Sequence, residues 1–335
     1  MSNNKISFSI LGDGGWASTL ACLLSKRYKN ILIWSPDENY AKFLSKKRIN
    51  EKYLSEVKIP ENVIITSDIN QAFKFSKNVL IAIPTQYIRS SLKLLKIKKE
   101  KDFNILSCSK GMELKNFLRP TQIIREFFPF SKISCLSGPT IAKEVYLKIP
   151  TCCVVASTSL NIAKFWQKVL SNDYFRVYVT TDVKGVELGG ALKNIIALAC
   201  GMADGLNLGT NTKSALVCRG LVEMIRFSRH FGASKVTLFG LSGLGDLITT
   251  CFSKYSRNRL VGEKIAKGES LDKIRKELNS IAEGIDTTKS VYLLSRKMKI
   301  DMPITRQVYL VLYKNKDPIK AVKDLMKRSL KKENV

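Results

Sequence analysis

Residues Lys5–Thr19 read KISFSILGDGGWAST, and this stretch decides the fold. A short apolar strand, Ile6 to Leu11, runs straight into Gly12-Asp13-Gly14-Gly15-Trp16-Ala17, and Trp16 to Leu24 reads as a helix. The pattern is G-x-G-x-x-A. Gly12 permits a tight turn, and Gly14 lets backbone approach a pyrophosphate. Ala17 fills the place where a small side chain allows close strand–helix packing. The helix N-terminus offers N–H groups and a partial positive charge to phosphates. The glycine pattern alone is weak. A strand before it, a helix after it and a second strand at Ile31 to Trp34 make a βαβ unit of the length that binds a dinucleotide.

Working outward, strands are expected at Val63–Thr66, Val79–Ile83, Ile105–Ser109, Ile133–Ser137, Cys152–Ser157 and Phe175–Val179. Helical stretches separate them, beginning with a charged one near Asp37 to Arg48. Near-continuous apolar runs such as Asn78–Pro84, NVLIAIP, suit strands buried on both faces, as in parallel sheets. The fold class is therefore α/β, with an N-terminal Rossmann-type doubly wound sheet over residues 1–180. Beyond Thr181 the pattern becomes all-α, over residues 181–335. Val186 to Leu206 reads as one long apolar helix. Helical segments follow near Thr212–Phe231, Arg259–Lys267, Asp286–Lys297, Thr305–Leu312 and Ile319–Ser329, with an irregular insertion from Gly240 to Asn258.

The 335 residues suffice for two domains, and 45% hydrophobic residues can fill real cores. The net charge of +28 comes from lysines scattered along the whole chain. Without an arginine-rich arm or an aromatic-interleaved basic patch, the charge points to phosphorylated ligands and not to nucleic acid. None of the eight cysteines forms C-x-x-C, and His230 is the only histidine, so no metal site is readable. The N-terminus lacks a signal-like apolar region, and no uninterrupted apolar run reaches about 18 residues. The expectation is a reduced cytoplasmic protein without membrane insertion.

Four further stretches carry chemistry. In Ser107–Glu113, SCSKGME, Lys110 follows a buried strand, where ligands bind in open α/β sheets; a plain surface lysine is the alternative. The next strand ends in Ser137-Gly138-Pro139-Thr140, whose threonine is either a ligand contact or an N-cap. Gly185–Asn194, GVELGGALKN, places Lys193 and Asn194 in a very apolar helix, and a buried lysine needs a partner or a shifted pKa. Gly189 and Gly190 weaken that helix, as close approach by a ligand or another chain would require. In Leu241–Thr250, LSGLGDLITT, Asp246 is a helix N-cap or the carboxylate that orients a lysine. Ser256-Arg257-Asn258 is an anion cradle or an ordinary helix start.

GDGGWAS, SCSKGME, SGPT, GVELGGALKN, GMADGL, GLSGLGDLITTC, SRNR, AEGIDT and MPIT occur in this order. From about residue 6 to residue 328 the chain closely resembles the bacterial NAD(P)-dependent sn-glycerol-3-phosphate dehydrogenase family. The resemblance implies a Rossmann domain followed by an all-α domain like that of 6-phosphogluconate dehydrogenase. It implies interconversion of dihydroxyacetone phosphate and sn-glycerol 3-phosphate with NAD(H) or NADP(H), supplying glycerophospholipid synthesis, and a homodimer. Lys193 matches the catalytic proton acceptor. Lys110, Gly138, Thr140, Asp246, Ser256, Arg257 and Asn258 match substrate-binding positions, with Asn194 and Thr250 beside the substrate. Gly15, Trp16, Lys110, Ala142, Arg257, Ile281 and Glu283 match cofactor contacts, joining Gly12 and Gly14 of the turn.

The chain departs from the family loop at Gly15, which replaces a hydroxyl residue, and at Ala17, which replaces a glycine. After the second strand it has Ser35-Pro36-Asp37 where the family often carries Arg or His. Pro36 neither attracts nor repels a 2′-phosphate, Asp37 is a candidate N-cap, and Lys46, Lys47 and Arg48 follow. Weak discrimination leaning to NADPH is expected. Two rival readings are another β-hydroxyacid-type dehydrogenase of this architecture and a non-catalytic nucleotide-sensing or basic binding protein.

Overall fold

The structure is a computed structural model that describes residues 6–96, 102–277, 282–330 and 332–333. The chain divides into two compact units, Met1–Lys110 with Arg119–Val183, and Gly111–Leu118 with Lys184–Val335.

The first unit contains β1 (Ser7–Leu11), α1 (Gly15–Ser25), β2 (Asn30–Trp34), α2 (Glu38–Lys47), β3 (Ile49–Asn50), β4 (Leu54–Lys58), β5 (Val63–Thr66), α3 (Ile69–Phe75) and β6 (Asn78–Ile81). It continues with α4 (Thr85–Lys93), β7 (Asn104–Ser107), α5 (Pro120–Phe127), β8 (Lys132–Ser137), α6 (Ala142–Tyr146), β9 (Thr151–Ser157), α7 (Leu160–Leu170) and β10 (Phe175–Thr180). Eight strands form one sheet in the order β10-β9-β8-β7-β6-β1-β2-β5. After β5 the chain returns to β6, on the other side of β1, and so creates the switch point where ligands of open α/β sheets bind. Phe8, Ile10, Leu20, Leu24, Ile31, Ile33 and Trp166 are fully buried around the sheet. Each contributes roughly 1.5–3 kcal/mol of apolar burial.

The sheet differs from an all-parallel expectation at one place. β8 pairs antiparallel with β9, while the other neighbours in the sheet are parallel. The link from β8 to β9 holds only the five helical residues of α6. That helix is about 7.5 Å long, against roughly 20 Å for six strand residues, so the chain doubles back instead of crossing the sheet. The hairpin β3–β4, whose second strand LSEVK carries Glu56 and Lys58, is a second addition to the expected strands.

The second unit holds α8 (Val183–Gly205, from Lys184 onward), α9 (Gly209–Arg229), α10 (Lys235–Phe239), a π-helical turn (Leu241–Gly245), α11 (Asp246–Phe252), α12 (Arg257–Ala266), α13 (Leu271–Glu277), α14 (Glu283–Lys297), α15 (Pro303–Lys314) and α16 (Pro318–Met326). Every residue of α8 from Gly185 to Ala203 is buried. By length and composition α8 could cross a membrane, but its apolar window is wholly buried inside the protein, as a core helix requires. A side chain at Gly220 of α9 would meet Ile196, and one at Gly262 of α12 would meet Leu198 O, so both helices cross α8 at close range. Ser290 Oγ donates to Met112 O at 3.2 Å, which ties the excursion Gly111–Leu118 to α14.

Candidate active site

Each unit carries its own cluster of the residues singled out in the sequence. In the first unit the glycine turn is built as its sequence demands. Gly12 sits at φ +123°, and a Cβ there would lie 2.7 Å from Ala82 O, the backbone just past β6. Only glycine fits this left-handed, closely packed position. Gly12 N donates to Trp34 O at 2.9 Å and Ala82 N to Leu11 O at 2.8 Å, which fastens the turn to both neighbouring strands. Gly14 is the N-cap of α1 with no side-chain cap, and a Cβ built on it meets nothing within 4 Å. An uncapped helix N-terminus facing open space fits a dinucleotide pyrophosphate. Gly15 has a physical reason too: a Cβ there would lie 3.2 Å from Leu54 Cβ in the hairpin. Trp16 is the second residue of α1, half-buried against the core, and Ala17 is fully buried.

At the carboxyl end of β2, Ser35 Oγ donates to Asp13 Oδ2 at 2.6 Å. Burial raises the Asp13 pKa, and the Ser35 bond and the charge of Lys52 oppose that rise. Asp37 caps α2 by accepting from Tyr40 N at 3.0 Å, as its position before the helix led one to expect. Arg48 does not reach for a phosphate. It adopts φ 57° after α2, donates to Val63 O at 2.6 Å and pairs with Glu61 at 3.4 Å. Lys46 and Lys47 are exposed on the last turn of α2.

Lys110 follows β7 and is not a loose surface lysine. Its Nζ donates to Gly138 O at 2.9 Å and to Thr140 Oγ1 at 3.2 Å. The two strand-end loops thus converge. Thr140 is not a cap, because α6 starts at Ala142 with Ile141 as N-cap, and the threonine hydroxyl also donates to Gly138 O at 3.1 Å. Ala142 O accepts from Thr19 Oγ1 at 3.2 Å, which joins α6 to α1.

In the second unit Lys193 Nζ donates to Asp246 Oδ1 and to Thr250 Oγ1, both at 2.6 Å. The side chains of Lys193 and Asp246 are 8% and 2% exposed, so the ion pair is shielded from water. Asp246 is the first residue of α11, with Gly245 as N-cap, and its carboxylate accepts from the lysine. Its place in the first turn also lets the helix dipole favour its negative charge. Thr250, one turn later, donates to Asp246 O at 2.6 Å, which aims its oxygen at Lys193. Gly189 brings the π-helical turn close, since a Cβ there would lie 2.5 Å from Ser242 O. The close approach predicted from this glycine is therefore made by the chain's own backbone.

One turn face away, Asn258 Nδ2 donates to Asn194 Oδ1 at 2.9 Å, and Asn258 Oδ1 accepts from Gly284 N at 3.0 Å. Asn258 thereby links α8, α12 and the start of α14. Ser256 caps α12 by accepting from Arg259 N at 3.3 Å. Arg257, the first residue of α12, is exposed, yet surrounding protein opposes its charge and Glu283 supports it. A guanidinium stays protonated there. Glu283 opens α14, and Ile281 lies outside the described residues. His230 is the exposed C-cap of α9, its Nδ1 2.9 Å from Arg226 O. Among the described residues no group of His, Cys, Asp and Glu could hold a metal ion.

Two structural contributors escaped the sequence reading. Asn50, in the hairpin, donates to Asp13 O at 2.8 Å and Ser18 Oγ at 2.6 Å, holding the glycine turn from outside. Glu223 of α9 accepts from Thr305 N and Thr305 Oγ1 at 3.2 and 3.1 Å and from Ile304 N, capping α15. No local signal in the sequence pairs residues so far apart.

Comparison with known proteins agrees with this architecture. Residues 7–163 match the sequence model of the NAD-dependent glycerol-3-phosphate dehydrogenase N-terminus, and residues 182–323 that of its C-terminus. The chain is 43% identical over 327 residues to glycerol-3-phosphate dehydrogenase [NAD(P)+] of Halothermothrix orenii, covering 97% of this chain and 96% of that protein. It is 42% identical to the enzyme of the same name from a Thermoanaerobacter species, over 98% and 99% of the two chains. The crystal structure of glycerol-3-phosphate dehydrogenase from Coxiella burnetii superposes with a TM-score of 0.91 at 32% identity, covering 97% of this chain and 99% of that one. With its glycine turn, its buried lysine–aspartate pair and near-full-length similarity at this level, the chain belongs to the NAD-dependent glycerol-3-phosphate dehydrogenase family.

Proposed function

We propose that the protein interconverts dihydroxyacetone phosphate and sn-glycerol 3-phosphate with NAD(P)(H), and that Lys193 is its proton-transfer group. The observation that carries the residue assignment is the buried Lys193–Asp246–Thr250 cluster. Reduction of a ketone needs a proton donor at the carbonyl oxygen, and oxidation of the alcohol needs a base at the same atom. The bound nicotinamide supplies or removes the hydride.

Lys193 supplies the proton. In the reducing direction its ammonium hydrogen-bonds the carbonyl oxygen and stabilises the developing alkoxide before releasing the proton to it. In the oxidising direction the neutral amine takes the hydroxyl proton. Asp246 and Thr250 fix the direction of Nζ, which otherwise rotates freely at the end of four methylenes. Arg257, with Ser256 and Asn258 at the start of α12, takes the substrate phosphate; a guanidinium fork and a helix N-terminus both favour that dianion. Lys110 presents a second ammonium, held by Gly138 and Thr140. The uncapped start of α1 behind Gly12 and Gly14 takes the pyrophosphate.

The same proposal places the enzyme in the cytoplasm, at the entrance to glycerophospholipid synthesis, as a homodimer. Six of the eight cysteines are buried, where a reduced thiol packs as a small hydrophobe, as a reducing compartment allows. Sedimentation analysis tests the dimer. The activity is tested by following absorbance of the reduced cofactor on addition of dihydroxyacetone phosphate. Oxidation that depends on both supports the proposal, and none with either cofactor removes it.

A further inference from the structure

In the dinucleotide-binding βαβ unit an acidic side chain about 20 residues past the glycine turn usually meets the adenosine ribose, at the carboxyl end of the second strand. Here the acid nearest that place in sequence, Asp37, is occupied as the N-cap of α2. The carboxylate that stands at the end of β2 instead comes from inside the glycine turn. Asp13 lies between Gly12, whose N–H is bonded to the last residue of β2, and Gly14. Ser35, the first residue past β2, donates to Asp13 Oδ2 at 2.6 Å and so fixes the carboxylate there. Asn50 holds the backbone of the same residue from the opposite side.

A cation lies within electrostatic reach of this carboxylate. Lys52, exposed on the turn between β3 and β4, has its Nζ 5.5 Å from the Tyr40 ring centroid and 5.1 Å from that of Tyr53. The Tyr53 hydroxyl is its strongest partner, and Asp13 and Asp37 also attract its charge. Of the other basic side chains nearby in sequence, Arg48 is bound to Val63 O and Glu61, while Lys46 and Lys47 are exposed on the last turn of α2. A fixed acceptor at the end of β2 therefore lies within electrostatic reach of an exposed ammonium.

We propose that Asp13, pinned by Ser35, is the acceptor for the adenosine ribose hydroxyls, and that Lys52 is the cation that accommodates the 2′-phosphate of NADP(H). The two set cofactor choice in opposite directions. A carboxylate accepts from a 2′-hydroxyl and repels a 2′-phosphate, while an ammonium on a flexible stem can turn toward the phosphate or away from it. Their opposition lets one site use both cofactors.

The inference rests on the dinucleotide reading above, and its test uses binding alone. NADH and NADPH are titrated into the purified full-length protein by cofactor fluorescence, without substrate. Asp13→Asn keeps the shape of the side chain and removes its charge. It should weaken NADH about tenfold while leaving NADPH unchanged or tighter, the low end for a hydrogen bond to a charged group. Lys52→Ala, an exposed change that leaves the fold intact, should weaken NADPH about fivefold and move NADH less than twofold. Equal weakening of both cofactors by Asp13→Asn, or an unchanged NADPH:NADH affinity ratio in both variants, overturns the assignment. Wild-type protein that binds both cofactors but turns over no dihydroxyacetone phosphate refutes the proposed reaction and leaves this inference standing.

Discussion

Asp246→Asn tests what holds the Lys193 amine. The substitution keeps the size of the side chain and removes one charge from a pair 2.6 Å apart and almost closed to water. At an effective dielectric of 20 the lost attraction is about 6 kcal/mol before solvation is counted. Removing one partner of a buried pair typically costs about 3–5 kcal/mol, because the other is left with an uncompensated charge. At about 2–4 °C per kcal/mol for units of this size, Tm should fall by about 6–20 °C. Lys193→Met should cost less. It leaves the carboxylate in the first turn of α11, where the helix dipole returns about 0.3–1 kcal/mol. The double variant Lys193→Met/Asp246→Leu should recover most of the stability and remain inactive. In Asp246→Asn itself kcat should drop at least about tenfold, since the amine then loses the charged acceptor that aims it. Calorimetry and steady-state rates on the three proteins suffice. An Asp246→Asn protein with Tm within about 2 °C and kcat within about twofold of wild type would show that the carboxylate neither holds nor charges Lys193.

Lys193→Ala should lower kcat by at least about 10²–10⁴ while cofactor titrations stay near normal; a near-normal kcat removes Lys193 from the mechanism. Arg257→Ala should cost about 2–4 kcal/mol in kcat/KM for dihydroxyacetone phosphate and much less for unphosphorylated dihydroxyacetone. Equal losses on the two substrates would make Arg257 structural or cofactor-directed. Burial pushes the Glu223 carboxyl from its ordinary 4.5 up to about 7, against the donors at the start of α15. Its folded pKa is raised, so the native state binds the extra proton between these values. That contribution is fully present below pH 4.5 and fades as pH rises through 7, by about 3 kcal/mol in all. Glu223→Gln cannot titrate, so the stability difference between wild type and variant should slope across this window; parallel curves would mean that Glu223 titrates normally.

The sheet was legible in the sequence because apolar runs such as Asn78–Ile81 are buried on both faces, and the glycine turn because Gly12 has no substitute. Strand direction was not: nothing in Thr151–Ser157 distinguishes an antiparallel strand from a parallel one. The hairpin Ile49–Lys58 was invisible because only Asn50 and Val57 of its two strands are buried, which leaves no apolar alternation to read. In Gly240–Asn258 the glycines that permit close packing also hide the helical pattern of α11. The Lys193–Asp246–Thr250 cluster was half legible. A lysine in the apolar run of α8 demanded a partner, but Asp246, 53 residues away, could equally have been a cap until folding brought it to Nζ. In the glycine pattern Asp13 is only the variable residue; its bond to Ser35 exists because the turn places the two side by side.

The most direct test of the central claim is the rate at which wild-type protein oxidises NADPH and NADH when dihydroxyacetone phosphate is added. Substrate-dependent oxidation with both cofactors is expected, with kcat/KM values within about 30-fold of each other and the larger for NADPH. Cofactor binding without any oxidation on addition of dihydroxyacetone phosphate would contradict the account.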